Sequence, residues 1–232
     1  MALPVVKTPT YELKIPSTGK TLKYRPFLVK EEKILMMAAE SKDPNEITEA
    51  VKKIVIACVE SPKAEETVNS FSLADFEYVF INLRCRSVGE SVEVNIACSH
   101  CGAENKVKVD LSDIEVTKME KGKEKVEITN EMGIMLKSPG LNDIGDMTGD
   151  DPMKVLIRCI DYIYDSDQVY KASESTDAEL TEFVDSLSYK HLEAIKGFFD
   201  SMPRVRKEIK FICKECGEED TYIAEGMTDF FS

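Results

Sequence analysis

Apolar residues recur along this chain with two spacings, every second residue in some segments, as in strands, and every third or fourth residue in others, as in helices. Strand-like alternation comes first, in "TYELKIP" and "TLKYRPF", and Gly19 in the intervening "STGK" supplies a turn. Residues 10–27 therefore predict a β-hairpin. From residue 29 the spacing becomes helical in "VKEEKILMMAAESK", which predicts the first helix.

Two further helices carry start signals. "DPNEITEAVKKIVIACVESP" opens with Asp43 as N-cap, followed by proline in the first turn and Glu46 to complete a capping box. "FSLADFEYVFINLRCRS" begins in the same way, with Ser72 as N-cap and Asp75 as the reciprocal acid. The first 90 residues are thus predicted to be a hairpin followed by helices.

The rest of the chain mixes strands and helices. "SVEVNIA" and "NKVKVDL" predict one hairpin, "IEVTK" and "KVEIT" a second around "MEKGKE", and "KEIKFI" with "DTYIAEG" a third. Helices are predicted from Asp151 through "MKVLIRCIDYIYD", and from the capping box of Thr176 and Glu179 to Pro203. The fold class is therefore α+β.

Two of these hairpins carry the same motif at their tips. Cys98 and Cys101 precede Gly102, and the same spacing recurs before Gly217 in "CKECG". Two cysteines three positions apart in a tight turn present two soft ligands, and two such turns supply the four ligands of a tetrahedral zinc ion. Glycine after the second cysteine allows the positive φ that turns backbone amides toward the sulfurs. The predicted structural zinc ligands are Cys98, Cys101, Cys213 and Cys216.

The two halves of this zinc-ribbon-like site are far apart in sequence. The gap of 111 residues between Cys101 and Cys213 exceeds the usual spacing of about 15 to 20, although closing a longer loop costs only logarithmically more. Two turns without metal, or a zinc shared between chains, are the alternatives. The prediction divides the chain into a hairpin and helical region at 1–90, a split zinc module at 91–111 and 207–226, an inserted α+β segment at 112–206, and an apolar tail at 227–232.

Catalytic motifs are absent from the sequence. The chain has two histidines, neither in an H-E-x-x-H spacing, and it lacks G-x-S-x-G and G-x-G-x-x-G. Four cysteines would also leave zinc no open position for water. We therefore predict that the protein is not an enzyme and has no small-molecule substrate. Cys58, Cys85 and Cys159 are predicted to be small buried apolar residues.

Charge and hydropathy narrow the range of partners. The net charge of −13 would repel phosphate backbones, and the longest apolar run, "IVIACV", is too short for a membrane span. Residues 1–30 nevertheless carry a balance of +5. Two partner-binding segments are predicted, one basic and one apolar: Lys20, Lys23 and Arg25, and Met227, Phe230 and Phe231. Each could instead pack on its own chain.

The two ends of the chain resemble a known family. "TPTYELKIPSTGKTLKYRPFLVKEEKILMMA" and "FFDSMPRVRKEIKFICKECGEEDTYIAEGMTDFF" are similar to the baseplate hub proteins of T-even-type contractile-tailed bacteriophages. The resemblance implies a late phage protein, a hub component or assembly factor, that contacts other hub and tail proteins. It also implies the host bacterial cytoplasm during assembly, or the tail baseplate of the virion. The rival hypothesis is a zinc-ribbon regulator of transcription or nucleic-acid processing.

Overall fold

The chain forms two compact units. The computed structural model describes residues 6–41, 43–143 and 152–231, with eight α-helices and small antiparallel sheets in that part, which confirms the α+β prediction. Unit 1 consists of Met1–Val116 with Arg204–Ser232, and unit 2 of Thr117–Pro203. The finer division into four segments stays a prediction. No helix among the described residues is long and apolar enough to cross a membrane.

Unit 1 begins with the predicted hairpin and helices. Gly19 turns the hairpin with a φ of 67°. The elements are β1 (Tyr11–Lys14), β2 (Thr21–Tyr24), α1 (Val29–Ser41), α2 (Pro44–Cys58), α3 (Ala64–Asn69) and α4 (Leu73–Ser87). Beyond β2, Arg25 N–H donates to the Cys58 carbonyl at 2.9 Å, so the hairpin is joined to the end of α2.

Asp75 takes part in capping α4 and also contacts the first hairpin. Its backbone N–H donates to Ser72 Oγ at 3.2 Å, as predicted. Its carboxylate also accepts from the backbone N–H of Ser17, at 3.1 Å, and from the Ser17 hydroxyl. Because Asp75 is buried, these bonds satisfy a carboxylate that would otherwise be costly to desolvate. The turn of the first hairpin is thereby fixed to the start of α4.

The second half of unit 1 contains two long hairpins. Their strands are β3 (Ser91–Ala97) with β4 (Glu104–Asp110), and β10 (Val205–Ile212) with β11 (Glu219–Glu225), while β5 (Glu115–Val116) pairs with β10 and α8 (Thr228–Phe231) ends the chain. Alternate apolar residues of these strands pack with α4 in one core. This core consists of Ile81, Cys85, Val94, Ile96, Val109, Leu111, Ile114, Val205, Ile209, Ala224 and Phe230.

Unit 2 has a four-stranded antiparallel sheet and three α-helices among its described residues. The strands, in sheet order, are β6 (Lys125–Glu127), β7 (Gly133–Leu136), β8 (Ile160–Tyr164) and β9 (Val169–Lys171). The helices are α5 (Pro152–Cys159), α6 (Asp177–Asp185) and α7 (Tyr189–Ser201), with short 3-10 turns at Leu141–Asp143 and Ala172–Glu174. Ile134, Cys159 and Phe198 are fully buried at its centre.

Three sequence predictions in this region are wrong. The hairpin around "MEKGKE" does not form, because β5 pairs with β10 and β6 pairs with β7. The helix predicted through Asp165 ends at Cys159, since the β-branched and aromatic residues that follow pair as β8 with β7. The helix predicted from Thr176 to Pro203 is two helices, interrupted at residues 186–188, because Ser188 is the N-cap of the second one. The predicted start at Asp151 lies outside the described residues.

Candidate metal centre

The first cysteine turn is closed by backbone hydrogen bonds across its ends. The N–H of Cys98 donates to the Ala103 carbonyl at 2.9 Å, and the N–H of Gly102 donates back to the Cys98 carbonyl at 2.8 Å. Gly102 has a φ of 76°, a left-handed conformation that a residue with a Cβ rarely adopts. The prediction of a positive φ at this glycine is confirmed. The side chains of Cys98 and Cys101 are thus presented from the tip of the β3–β4 hairpin.

The second turn repeats this geometry at the tip of the β10–β11 hairpin. The N–H of Cys213 donates to the Glu218 carbonyl at 2.9 Å, and the N–H of Gly217 donates to the Cys213 carbonyl at 3.0 Å. Gly217 also has a φ of 76°. Equivalent residues of the two motifs therefore have equivalent backbone conformations.

The four cysteine sulfurs converge although their turns are distant in sequence. Cys98 Sγ lies 3.8 Å from Cys216 Sγ, Cys101 Sγ lies 3.6 Å from Cys213 Sγ, and all four sulfurs lie within 4.8 Å of one another. Four sulfurs at about 2.3 Å from a central zinc ion would be about 3.8 Å apart along the edges of a tetrahedron. The arrangement fits a tetrahedral metal ion, and all four cysteines are free thiols. These four residues could hold a metal ion.

The site has a buried side and an exposed side. Cys98 and Cys213, the first cysteine of each turn, are buried, whereas Cys101 and Cys216 are exposed. The buried pair follows strands that contribute Ile96 and Ile209 to the core of unit 1. A metal ion here would be held against the core and reached from solvent past the second cysteine of each turn.

The thiols differ in their electrostatic surroundings. Hydrogen bonding from the Cys216 backbone N–H lowers the pKa of Cys213 to about 6, and the Asn105 amide acts in the same direction. The Glu218 backbone N–H acts to lower the pKa of Cys216, but partial desolvation and hydrogen bonds with the three neighbouring thiols outweigh it and raise this pKa to about 12. In a metal complex all four sulfurs would be thiolates, and their charge would need a cation to balance it. A divalent metal ion supplies that balance.

Asn105 is a site residue that the sequence interpretation missed. It is 2% exposed and lies at the start of β4, seven residues after Cys98. Its Nδ2 donates to the Ala103 carbonyl at 2.9 Å and to Cys213 Sγ at 3.5 Å, while its Oδ1 accepts from the Lys214 backbone N–H at 2.9 Å. One side chain thus joins both cysteine turns.

Asp220 is the corresponding residue of the other hairpin. It follows Cys213 by seven residues, and its Oδ2 accepts from the Ser99 backbone N–H at 2.7 Å. The signal was present in the sequence, because "CSHCGAEN" and "CKECGEED" share cysteine, glycine, glutamate and a final Asn or Asp at the same positions. Aligning the two motifs beyond their glycines would have identified both side chains.

The comparisons with known proteins identify the family. The sequence model of the family described as T4 bacteriophage base plate protein matches residues 8–232. The chain belongs to this family. Its relationship to contractile-tailed phage baseplates is therefore confirmed, and the family's structural role fits a location in the virion tail, with other baseplate or tail proteins as partners. The match does not distinguish the hub from the rest of the baseplate. No curated protein and no solved structure matches the chain.

The other three cysteines of this base plate protein are not part of the four-cysteine cluster. Cys58, Cys85 and Cys159 are buried, as predicted. Burial raises the pKa of Cys58 to about 11 and that of Cys159 to about 12, so both thiols stay protonated at neutral pH. His100 is exposed in the first turn. Only the four cysteines at the hairpin tips form a cluster with metal-ligand spacing among the described residues.

The predicted basic partner surface consists of side chains with different surroundings. Lys20 is exposed, and Lys23 forms an exposed ion pair with Glu12 at 3.3 Å. Arg25 instead turns inward, where it donates to Glu31 Oε1 at 2.9 Å and to the Ala57 carbonyl at 3.0 Å. Partner binding by the two lysines stays a prediction. Arg25 serves the fold of unit 1 in this conformation.

The apolar tail of the base plate protein is attached to unit 1. Phe230 is 1% exposed and belongs to the core, so its side chain is not available to a partner in this conformation. The Met227 backbone N–H donates to Glu77 Oε1 at 3.1 Å. A partner-binding role for Met227 stays a prediction, and the side chain of Phe231 lies outside the described part.

Proposed function

We propose that this base plate family member is a component or assembly factor of the baseplate hub, stapled by one structural zinc ion. The convergence of four cysteine sulfurs from two hairpins is the observation that carries the zinc proposal. The family match supports a place in the baseplate, and the similarity of the two terminal blocks to hub proteins favours the hub within it.

Zinc suits this site better than a hard cation does. Thiolates are soft ligands, and a tetrahedral set of four sulfurs favours zinc over magnesium or calcium, which prefer oxygen. With four protein ligands the metal has no open position for water, so its role would be structural. Zinc bound in such sites contributes about 10 to 16 kcal/mol of apparent free energy, comparable with the whole net stability of a domain.

A zinc ion here would join two hairpins within unit 1. Cys98 and Cys216 are separated by 118 positions, yet their sulfurs are 3.8 Å apart, the separation expected of two ligands on one zinc ion. The hairpins also share one core with α4 and α8, so the metal would hold together strands that already pack through apolar side chains. The chain would then present a fixed scaffold to other baseplate proteins.

The surface of α1 supports a role in protein contacts. Val29 is 66% exposed, Met36 61% and Met37 70%, and their spacing of seven and eight residues places them on one face of the helix. Glu31 and Ala38 are on the buried face. Clustered exposed apolar residues mark interaction surfaces, and methionine adapts to the shape of a partner. We assign this face, Val29 with Met36 and Met37, to contact with a neighbouring baseplate protein.

Two measurements test the proposal. Elemental analysis of protein purified without chelator should find one zinc per chain in the wild type and in Cys159→Ala, and a loss of zinc in Cys213→Ser. Mass spectrometry of complexes purified through a tag from infected cells should find baseplate hub proteins enriched over a tag-only control. Metal-free wild-type protein would contradict the zinc staple. Enrichment of peripheral baseplate proteins alone, or of nucleic acid, would contradict the hub assignment.

A further inference from the structure

The two cysteine turns are joined by a reciprocal pair of hydrogen bonds, in which a side chain of each hairpin accepts from the backbone of the other turn. Asn105 and Asp220 each lie seven residues after the first cysteine of their own turn. Asn105 accepts from the backbone N–H of Lys214, the residue after Cys213, and Asp220 accepts from the backbone N–H of Ser99, the residue after Cys98. Each hairpin therefore holds the turn of the other through an equivalent bond.

The strand register reproduces the same symmetry. In the first hairpin Ala97 pairs with Glu104, and in the second Ile212 pairs with Glu219. Each pair immediately precedes the side chain that crosses to the other hairpin. The strand register of each hairpin thus fixes how far along its strand Asn105 or Asp220 lies, and hence its position relative to the opposite turn, independently of any metal ion.

We propose that Asn105 and Asp220 are positioning residues that hold the two cysteine turns face to face, so that the four sulfurs are assembled before a metal ion binds. The part of this inference that concerns metal affinity rests on the zinc site proposed above. The part that concerns assembly of the metal-free turns rests only on the hydrogen bonds. The two parts can fail separately.

The amide and the carboxylate suit their different surroundings. Asn105 is buried, and its Nδ2 donates to Cys213 Sγ and to the Ala103 carbonyl, so two acceptors face a donor. A carboxylate at this position would place a negative charge against both acceptors. Asp220 is half-buried and receives backbone N–H groups from Ser99 and Thr221, an arrangement that suits an ionised carboxylate.

Exchanging the two side-chain types tests the proposal with little change in volume. Asn105→Asp removes both donor bonds and adds the charge, so we expect zinc affinity, measured by competition with a chromophoric chelator, to fall by about 10- to 100-fold, the range for residues that orient metal ligands. Asn95→Asp is the matched control, because Asn95 is exposed on the same hairpin. The control should bind zinc as the wild type does.

Amide hydrogen exchange of the metal-free protein tests preassembly directly. The backbone N–H groups of Ser99 and Lys214 should be protected from exchange in the wild type without zinc. Asn105→Leu has no acceptor oxygen for the Lys214 N–H, so it should accelerate exchange most at Lys214. Asp220→Leu removes the acceptor on the more exposed side and should accelerate exchange most at Ser99, and it keeps the test informative if Asn105→Leu does not fold.

The outcomes separate the two proposals. Unprotected Ser99 and Lys214 amides in the metal-free wild type would overturn preassembly, and so would an Asn105→Leu variant with wild-type exchange at Lys214. An Asn105→Asp variant that binds zinc as tightly as Asn95→Asp does would overturn the role of Asn105 in metal affinity. A wild-type protein that binds no zinc but protects both amides would overturn the zinc staple alone, and it would leave Asn105 and Asp220 as the residues that join the turns.

Discussion

Val116 and Val205 are antiparallel partners, paired across β5 and β10, although the whole of unit 2 lies between them in sequence. Val205 is fully buried and Val116 packs against the same core. The chain therefore leaves unit 1 and returns to it at neighbouring positions of one sheet. An insertion whose ends meet in this way imposes only a loop-closure cost on its host, and that cost depends weakly on the length of the insertion.

We predict that unit 1 folds without unit 2. Replacing residues 117–203 by a short glycine and serine linker should preserve the β5–β10 pairing, because the linker spans the short gap between adjacent antiparallel strands. The shortened protein should bind the same amount of zinc per chain as the full chain and unfold cooperatively. Its far-UV circular dichroism and metal content check this. An unfolded, metal-free product would show that unit 1 depends on the insertion.

The proposed zinc ion should stabilise unit 1 more than unit 2. A chelator should lower the melting temperature of the wild-type protein by more than 10 °C, since structural zinc contributes free energy comparable with the net stability of a domain. Cys213→Ser should behave like the chelated protein and should be insensitive to further chelator. Cys159→Ala, a change in the core of unit 2, is the control that should keep its response to chelator.

Local features of the backbone, such as turns and helix starts, were predictable from sequence because each depends on neighbouring residues. A glycine after the second cysteine specifies a positive φ, and Ser72 three residues before Asp75 specifies a helix start. Both features are confirmed. The convergence of the two turns was predictable only through chemistry, because four soft ligands in two turns suggest one shared metal ion.

Long-range pairing was not predictable in the same way. "IEVTK" has the alternation of a strand, but the pattern does not encode whether its partner is the next strand or β10. No proline or glycine marks the end of α5, which is followed directly by Ile160, Tyr162 and Tyr164. Pairing with β7 decides the conformation of these residues. Asn105 was overlooked because an isolated asparagine has no motif, although the paired motifs contained the signal.

Arg25 should stabilise the fold, in contrast to the two lysines of the same hairpin. The Arg25 side chain is 17% exposed and that of its partner Glu31 is 4% exposed, so Arg25→Gln leaves the buried carboxylate with only the exposed Lys30, at 3.4 Å, as its cation. We expect a loss on the order of 2 kcal/mol in the free energy of unfolding, measured in urea, because the charged hydrogen bond from Arg25 is lost. The double variant Lys20→Gln with Lys23→Gln should unfold within about 1 kcal/mol of the wild type, because both side chains are exposed and the Lys23–Glu12 pair is a surface ion pair. Equal effects would contradict this distinction.

The Arg25–Glu31 pair also predicts a pH dependence. Burial acts to raise the pKa of Glu31, but hydrogen bonds from Arg25 and from the Leu28 N–H outweigh it and hold the pKa below the ordinary value of 4.5. A carboxyl with a depressed folded-state pKa stabilises the fold above the unfolded value and loses that contribution as the pH falls through the folded value. The stability of Glu31→Gln should therefore fall less steeply than that of the wild type below pH 4.5, in urea titrations at fixed salt.

Phe230 should contribute to stability. Because it is fully buried, Phe230→Ala should lower the free energy of unfolding by about 3 to 5 kcal/mol through lost burial and a residual cavity. Ile212→Ala, a truncation of an exposed residue in the same unit, should cost less than about 1 kcal/mol. A Phe230→Ala protein that melts like the wild type yet fails to assemble would restore the interpretation of the tail as an anchor.

The exposed face of α1 should matter for assembly and not for stability. Val29, Met36 and Met37 are mostly exposed, so Met36→Glu with Met37→Glu removes little buried area and should leave the melting temperature within about 2 °C of the wild type. In a complex the same glutamates would be buried without partners, which costs several kcal/mol and should abolish co-purification of the neighbouring baseplate protein. Val88→Glu introduces a charge at another exposed apolar position of unit 1, and it should leave co-purification intact. If the α1 double variant still assembles as Val88→Glu does, the partner binds elsewhere on the chain.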